Sequence, residues 1–242
     1  MTWHRTPLAG FDLETTGTDP ETSRIVTGCV VRYGGGQPTR ARSWIVDPGV
    51  DIPAEATAVH GWTSEAARSA GRPAAEAVEE ITSALATVAG RGWPLVIMNA
   101  QYDLTLLDRE ARRHGVVPLV DRVTPYVIDP RVLDKAADRY RRGGRTLTDL
   151  CRHYVVKLDE AHTAEADAVA ACAVAWKIAN RHQRLARLEL GELHERQARW
   201  AREQAEGLRD YFGRTPGKEA WARDVRLEWP LVPAPRTEVP DA

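Results

Sequence analysis

The 242-residue sequence predicts an α/β fold: a mixed β-sheet that opens as an antiparallel meander and continues with parallel strands, flanked by helices and followed by a C-terminal helical extension. Three observations predict it. The first fifty residues hold three strand-like runs joined by turn-rich stretches. Residues 95–179 then alternate short apolar runs with segments of helical period. From about 182 the chain becomes a long charged segment ending in a Pro-containing tail, so a domain over 6–181 and an extension over 182–242 are expected.

The elements follow in order. Residues 8–13, an apolar run broken by Gly10 and Asp12, form the first strand, and Thr16-Gly17-Thr18-Asp19-Pro20 turns the chain. Residues 25–33 are rich in β-branched side chains, and Gly34-Gly35-Gly36 offers a hairpin turn into a strand at 40–46. Short helices are expected at 53–59 and 64–70. A longer one covers 73–89, where Ala77, Ile81, Ala84, Leu85 and Val88 recur at helical spacing. A brief buried strand at 95–98 leads to a helix at 103–114 closed by Gly115, and another strand spans 123–128. Asp129-Pro130 starts a helix, with Asp as N-cap and Pro at the first helical position. Two more helices cover 146–154 and 164–179. Residues 185–211 read as one charged helix whose interrupted stripe (Leu185, Leu188, Leu193, Trp200, Leu208, Tyr211) packs back on the domain in preference to docking a partner. The tail, with Pro230, Pro233, Pro235 and Pro240, is expected to be extended or poorly ordered at its end.

Composition narrows the class of protein. A chain 43% hydrophobic and 28% charged suits a soluble globular protein, and it contains no apolar run of membrane-spanning length. The N-terminus lacks the apolar core of a signal peptide. Cys29, Cys151 and Cys172 are odd in number and lack CxxC spacing, which argues against a disulfide framework and a structural zinc site and fits a reducing, cytoplasmic setting. The net charge of −1 gives no overall field for nucleic acid, so only local clustering counts. The one cluster of note is Lys135, Arg139, Arg141, Arg142 and Arg145 around Gly143-Gly144. It either tracks a phosphate backbone or forms a solvated loop face.

The residues that carry chemistry are acidic. Asp12 and Glu14 lie two apart on a strand and so share a face, where two like charges are costly unless a cation joins them; hard oxygen ligands suit magnesium or manganese. Asp103 opens a helix after a short strand, a place the helix dipole alone can explain. Asp167 sits mid-helix among Ala166, Ala168, Val169 and Ala170, where Asp is a poor helix former and a small-residue face allows close approach to a sheet. His162, five residues earlier, falls off that helical face and is placed in the loop ahead of it, with Thr163 near the N-cap. Asp129 is read as an N-cap, and Cys151 and Cys172 as small apolar residues.

In order and spacing these residues match four motifs: Phe11-Asp12-Leu13-Glu14-Thr15-Thr16-Gly17, Val59-His60-Gly61-Trp62-Thr63, Asn99-Ala100-Gln101-Tyr102-Asp103 and His162-Thr163-Ala164-Glu165-Ala166-Asp167-Ala168. Over residues 8–180 the chain thereby resembles the DEDDh 3′–5′ exonucleases of the ribonuclease H-like fold, the family of the proofreading epsilon subunit of bacterial DNA polymerase III. Met98 departs from the histidine the family often carries there. The resemblance implies that Asp12, Glu14, Asp103 and Asp167 hold two magnesium or manganese ions, one serving the attacking water and the other the leaving 3′-oxygen, with His162 as general base. A sister group has tyrosine in place of that histidine. The resemblance also places Thr15 and His60 near the 3′-terminal nucleotide, makes Asn99 a further substrate-binding residue, and gives Tyr102 an aromatic face that either stacks on a base or packs beside Asp103. It implies hydrolysis of DNA from 3′ ends, in proofreading or repair, with a DNA polymerase as partner in trans. An RNA-trimming or oligoribonucleotide-degrading exonuclease is the rival within the class, and a non-catalytic, polymerase-associated adaptor the rival outside it.

Overall fold

The protein is described by a computed structural model over residues 2–158 and 162–235. A single 3₁₀ turn, Trp3–Arg5, precedes β1 (Pro7–Thr15), which pairs antiparallel with β2 (Ile25–Gly34), and β2 pairs antiparallel with β3 (Arg40–Asp47). The expected meander is present. Then come α1 (Ala54–His60), α2 (Ser64–Ala70), β4 (Arg72–Pro73), α3 (Ala74–Gly90), β5 (Leu95–Val96) and α4 (Ala100–Arg113). They are followed by α5 (Leu119–Arg122), β6 (Val127–Ile128), α6 (Pro130–Ala137), α7 (Leu147–Tyr154), α8 (Ala164–Arg181), α9 (Gln183–Ala186), α10 (Leu190–Arg214) and α11 (Glu219–Asp224). The sheet order is β4-β3-β2-β1-β5-β6, with β4, β5 and β6 parallel to their neighbours β3, β1 and β5. This is the mixed α/β architecture the sequence predicts. No helix among the described residues is long and apolar enough to cross a membrane.

Because side chains alternate along a strand, central β1 serves two layers. Ala9, Phe11 and Leu13 enter the core formed with Ile81 and Leu85 of α3 and Leu104 and Leu107 of α4. The opposite face meets α8, whose Cys172, Val174 and Ala175 share a second core with Leu8. Gly10 sets the spacing there: a Cβ at this position would lie 2.7 Å from the Ala168 carbonyl oxygen and 2.8 Å from Cys172 Sγ. Only a bare backbone lets α8 lie this close to β1.

Four local features differ from the expectation. β4, α5 and α11 were not anticipated, being two, four and six residues long and too short to show a period. β5 and β6 are shorter than expected because helices start almost at once after them, at Asn99 in the left-handed conformation and at the N-cap Asp129. The expected single helix from 185 is broken between α9 and α10. The Leu185 carbonyl, which would accept from residue 189, instead accepts from the Trp3 indole at 3.0 Å. The apolar stripe packs back as favoured, but only in part: Leu185 and Leu193 are buried, whereas Leu208 and Tyr211 are exposed.

The described part of the tail beyond α11 is extended, as expected. Residues 225–235 run as a strap beside α4: the Gln101 amide donates to the Glu228 carbonyl, Val232 N–H donates to Thr105 Oγ1 at 3.0 Å, and Arg109 donates to the Val232 and Pro233 carbonyls at 3.0 and 3.3 Å. The expected loose end, 236–242, lies outside the described residues.

Candidate active site

The pairing of β1 creates the site. β5 pairs only with Ala9 and Gly10, so the last turns of β1 outrun it. Asp12 and Glu14, on the face that carries Gly10, are thus directed toward α8 beside an open sheet end. Thr163 caps α8 by accepting from Ala166 N–H at 3.3 Å, and Asp167 lies in the first turn rather than mid-helix as expected, because the helix begins only three residues before it, at Ala164. Carboxylate oxygens of Asp12, Glu14 and Asp167 lie within 4.8 Å of one another, all three side chains being half-buried. Asp167 Oδ1 is buried without a hydrogen-bond partner.

Asp103 arrives from the other side of the strand. It is buried in the first turn of α4, and its Oδ1 accepts the Leu13 N–H at 3.2 Å, a donor that β5 is too short to pair. It stands outside the close group of three, but its charge bears on Asp12.

Electrostatics express this crowding. Burial, then the charges of Asp103, Asp167 and Glu14, hold Asp12 well above the usual carboxylate range. Burial and Asp167 push Glu14 up to about 7. Burial raises Asp103 as well, and the Leu13 N–H counteracts part of the rise. Asp167 is raised by burial and lowered by His162. The set calls for positive charge: it consists of hard oxygen donors, one of them unpartnered, and fits a divalent cation such as magnesium or manganese.

His162 sits exposed in the loop before α8 with φ at 71°, in the left-handed region disfavoured for a residue with a Cβ. Its neighbours 159–161 lie outside the described residues. His162 lines a cleft of about 650 Å³ with Glu14, His60, Trp62, Lys157 and Val169. His60 ends α1; its Nδ1 accepts Trp62 N–H at 3.1 Å while Nε2 is buried without a partner. Burial lowers its pKa. Thr15 Oγ1 and the Tyr102 hydroxyl lie 2.6 Å apart, and both bond the Gly17 carbonyl, so the two pin the β1 end to α4.

Asn99 is placed elsewhere. With φ at 64° it starts α4, accepts from Arg131 Nη1 at 2.8 Å and opens into a second cleft rather than the one lined by Glu14 and His162. Arg141 and Arg145 of the basic cluster bind buried Asp134 at 3.1 and 2.8 Å. Asp129 is the N-cap of α6, accepting from Arg131 and Val132, and it also accepts from Asn99 and Ala100 at the start of α4. That second duty, and the place of Trp62 in the cleft, went unread in the sequence. The aromatic side chain within the His-Gly motif was a usable signal for Trp62; the contact of Asp129 across thirty residues left none.

The chain matches the model of the RNase_T exonuclease family over residues 9–175. No curated protein matches it. Among solved structures it is similar to E. coli Exonuclease I in complex with a dT13 oligonucleotide and in complex with a dA16 oligonucleotide. For each, the identity is 20%, the TM-score 0.63, and the match covers 74% of this chain and 42% of the other. It is also similar to a chain of an ExoI/SSB-Ct complex, at 18% identity and a TM-score of 0.63, covering 84% and 46%. The chain thus spans less than half the length of these proteins, and at such identities the likeness concerns the fold.

Proposed function

Because the chain belongs to the RNase_T exonuclease family, we propose that it removes nucleotides one at a time from 3′ ends of DNA, with Asp12, Glu14, Asp103 and Asp167 as metal ligands and His162 as general base. The observation that carries this reading is the convergence of Asp12, Glu14 and Asp167 within 4.8 Å around an unpartnered buried oxygen. When bound, two magnesium or manganese ions supply Lewis acidity to the scissile phosphate and neutralise the charge that builds on it.

The chain's own residues do the remainder. His162, lining the cleft, takes the proton of the attacking water; the water oxygen bonds phosphorus, and the bond to the 3′-oxygen breaks, that oxygen taking up a proton from solvent. A nucleoside 5′-monophosphate leaves, and the shortened strand keeps a 3′-hydroxyl. Thr15 and His60 hold the terminal nucleotide, and Tyr102 offers a ring on which a base stacks. Asn99 takes a place toward the adjoining nucleotide, beside Arg131. DNA as substrate is supported by the oligonucleotides held by E. coli Exonuclease I. Proofreading or repair, in trans to a polymerase and in the cytoplasm, is the finer reading that the motifs support. The family match ends at 175, in keeping with an exonuclease domain over 6–181 and an extension over 182–242.

The test is degradation of 3′-labelled and 5′-labelled single-stranded DNA and RNA with magnesium, manganese or EDTA, beside an Asp12→Ala, Glu14→Ala double variant. Stepwise 3′ shortening of DNA that EDTA and the variant abolish is the expected result. Faster loss of RNA moves the assignment to an RNA-trimming enzyme, and folded, metal-loaded protein that cuts neither polymer overturns catalysis.

A further inference from the structure

The basic cluster between α6 and α7 carries more positive charge than the fold consumes. The Asp134 carboxylate is shared by Arg141 and Arg145 and also accepts from the Tyr154 hydroxyl at 2.8 Å, so one anion serves two guanidinium groups. Residues 130–146 hold six basic and two acidic side chains in a chain of net charge −1. Part of the surplus, Arg131 and Lys135, borders the second cleft, about 600 Å³ in volume. Arg131, Lys135 and Arg145 line it together with Phe212, Trp221 and Trp229, from α10, α11 and the strap.

Lys135 is half-buried there, and it has no ion-pair partner among the described residues. Burial and the charges of Arg145, Arg131 and Arg139 draw its ammonium below the usual range. Trp221 is 52% exposed, edge-on to Phe212 at 5.5 Å, with the Lys218 ammonium 5.2 Å from its ring. Acidic groups also reach the cleft: Asp224 and Glu228, and Asp129, whose carboxylate accepts from four backbone N–H groups. The cleft abuts the carboxylate site through one helical turn. Asn99 and Gln101 line it, while Tyr102 and Asp103, next in the chain, serve the carboxylate site.

We propose that this cleft binds the single-stranded part of the nucleic-acid substrate on the 5′ side of the nucleotide being removed, with Arg131 and Lys135 on phosphates and Trp221 and Phe212 stacking bases. The assignment rests on the exonuclease reading above and gives the C-terminal extension a role in it. Cations alone would suit any anion. Cations and aromatic rings lining one cleft, with Trp221 exposed among them, suit a polymer that repeats phosphate and base together. An acidic peptide would leave the rings unused.

Anisotropy of 5′-fluorescein-labelled dT4 and dT16 in EDTA tests this with the full chain. The wild type is expected to bind dT16 roughly tenfold or more tightly than dT4, as a second set of phosphate and stacking contacts implies. A Lys135→Ala, Trp221→Ala double variant loses that ratio and its salt dependence is shallower, whereas the single variant Lys135→Arg keeps both. Circular dichroism melts establish that each variant is folded. An unchanged dT16-to-dT4 ratio in folded variants overturns the assignment, as does a poly-glutamate peptide that displaces dT16 at the concentrations at which unlabelled dT16 does. The two readings fail separately: a wild type that shortens no polymer sinks the exonuclease, whereas one that shortens DNA while the ratio is insensitive to both substitutions sinks only the cleft.

Discussion

Asp12, Glu14, Asp103 and Asp167 are held together against their mutual repulsion, and each titrates above its ordinary range through burial first and, for Asp12 and Glu14, neighbouring charge next. A carboxyl group whose pKa is raised by folding binds protons more tightly in the native chain than in the unfolded one. The contribution of these four groups to metal-free stability is therefore greatest at low pH and is lost as pH climbs from the ordinary carboxylate range through the Glu14 value of about 7. In EDTA the Tm is expected to fall between pH 5 and pH 8. Millimolar manganese should raise it strongly at pH 8 and little at pH 5, because the cation must displace protons. A metal increment independent of pH would contradict this account. Single replacement separates function from structure in the same way. Asp12→Asn should raise the metal-free Tm at pH 8 by removing a repelling charge, while cutting 3′ shortening roughly a thousandfold, as expected of groups that act as a unit. A variant that is less stable and equally active would mean that Asp12 is a scaffold residue.

At the scale of elements, the site depends on how closely α8 and α4 approach β1. Gly10→Ala would place a methyl group 2.7 Å from the Ala168 carbonyl. Backbone cannot rotate away as a side chain can, so α8 must shift and carry Asp167 with it; overpacking of this kind costs about 1–3 kcal/mol. Urea denaturation should show that loss with a parallel fall in activity, whereas Gly90→Ala, whose added Cβ meets nothing beyond its own stretch of helix within 4 Å, should leave activity intact. Asp129→Ala removes the N-cap of α6 and the acceptor for the first N–H groups of α4, at about 1–2 kcal/mol for each helix end in denaturant titrations. These elements were legible to different degrees. The long strands and α3 announce themselves through local period, and Thr163 as N-cap through its position ahead of an Ala-rich run. Asp12 and Glu14 share a face by the geometry of a strand alone, so half of the acidic set could be read without the fold. That Asp167 meets them depends on the absence of a side chain at Gly10, which no periodicity reports.

The whole molecule is closed by contacts between residues far apart in sequence, and these a local reading does not reach. β6 is an edge strand whose free backbone groups need cover. α10 supplies it: His194 Nδ1 accepts Val127 N–H at 3.0 Å, and Gln197 donates to the Val127 carbonyl and accepts Asp129 N–H, both at 2.8 Å. Gln197 is fully buried, a polar residue amid a stripe whose leucines were what the sequence displayed. It also links the extension to the site, for the residue it holds is Asp129, which in turn holds the start of the helix bearing Asp103. Gln197→Ala would leave a buried donor and a buried acceptor unpaired at about 1–3 kcal/mol each, so the denaturation midpoint should fall sharply and 3′ shortening should weaken with it. Glu192→Ala, which breaks only a surface pair with Arg196 on the same helix, should move stability by a few tenths of a kcal/mol at most. If the two variants behave alike, the extension is an appendage that rests on the domain. If Gln197→Ala alone loses stability and activity together, the fold that positions the carboxylates includes α10, and residues 6–181 are not sufficient to hold Asp103 in place.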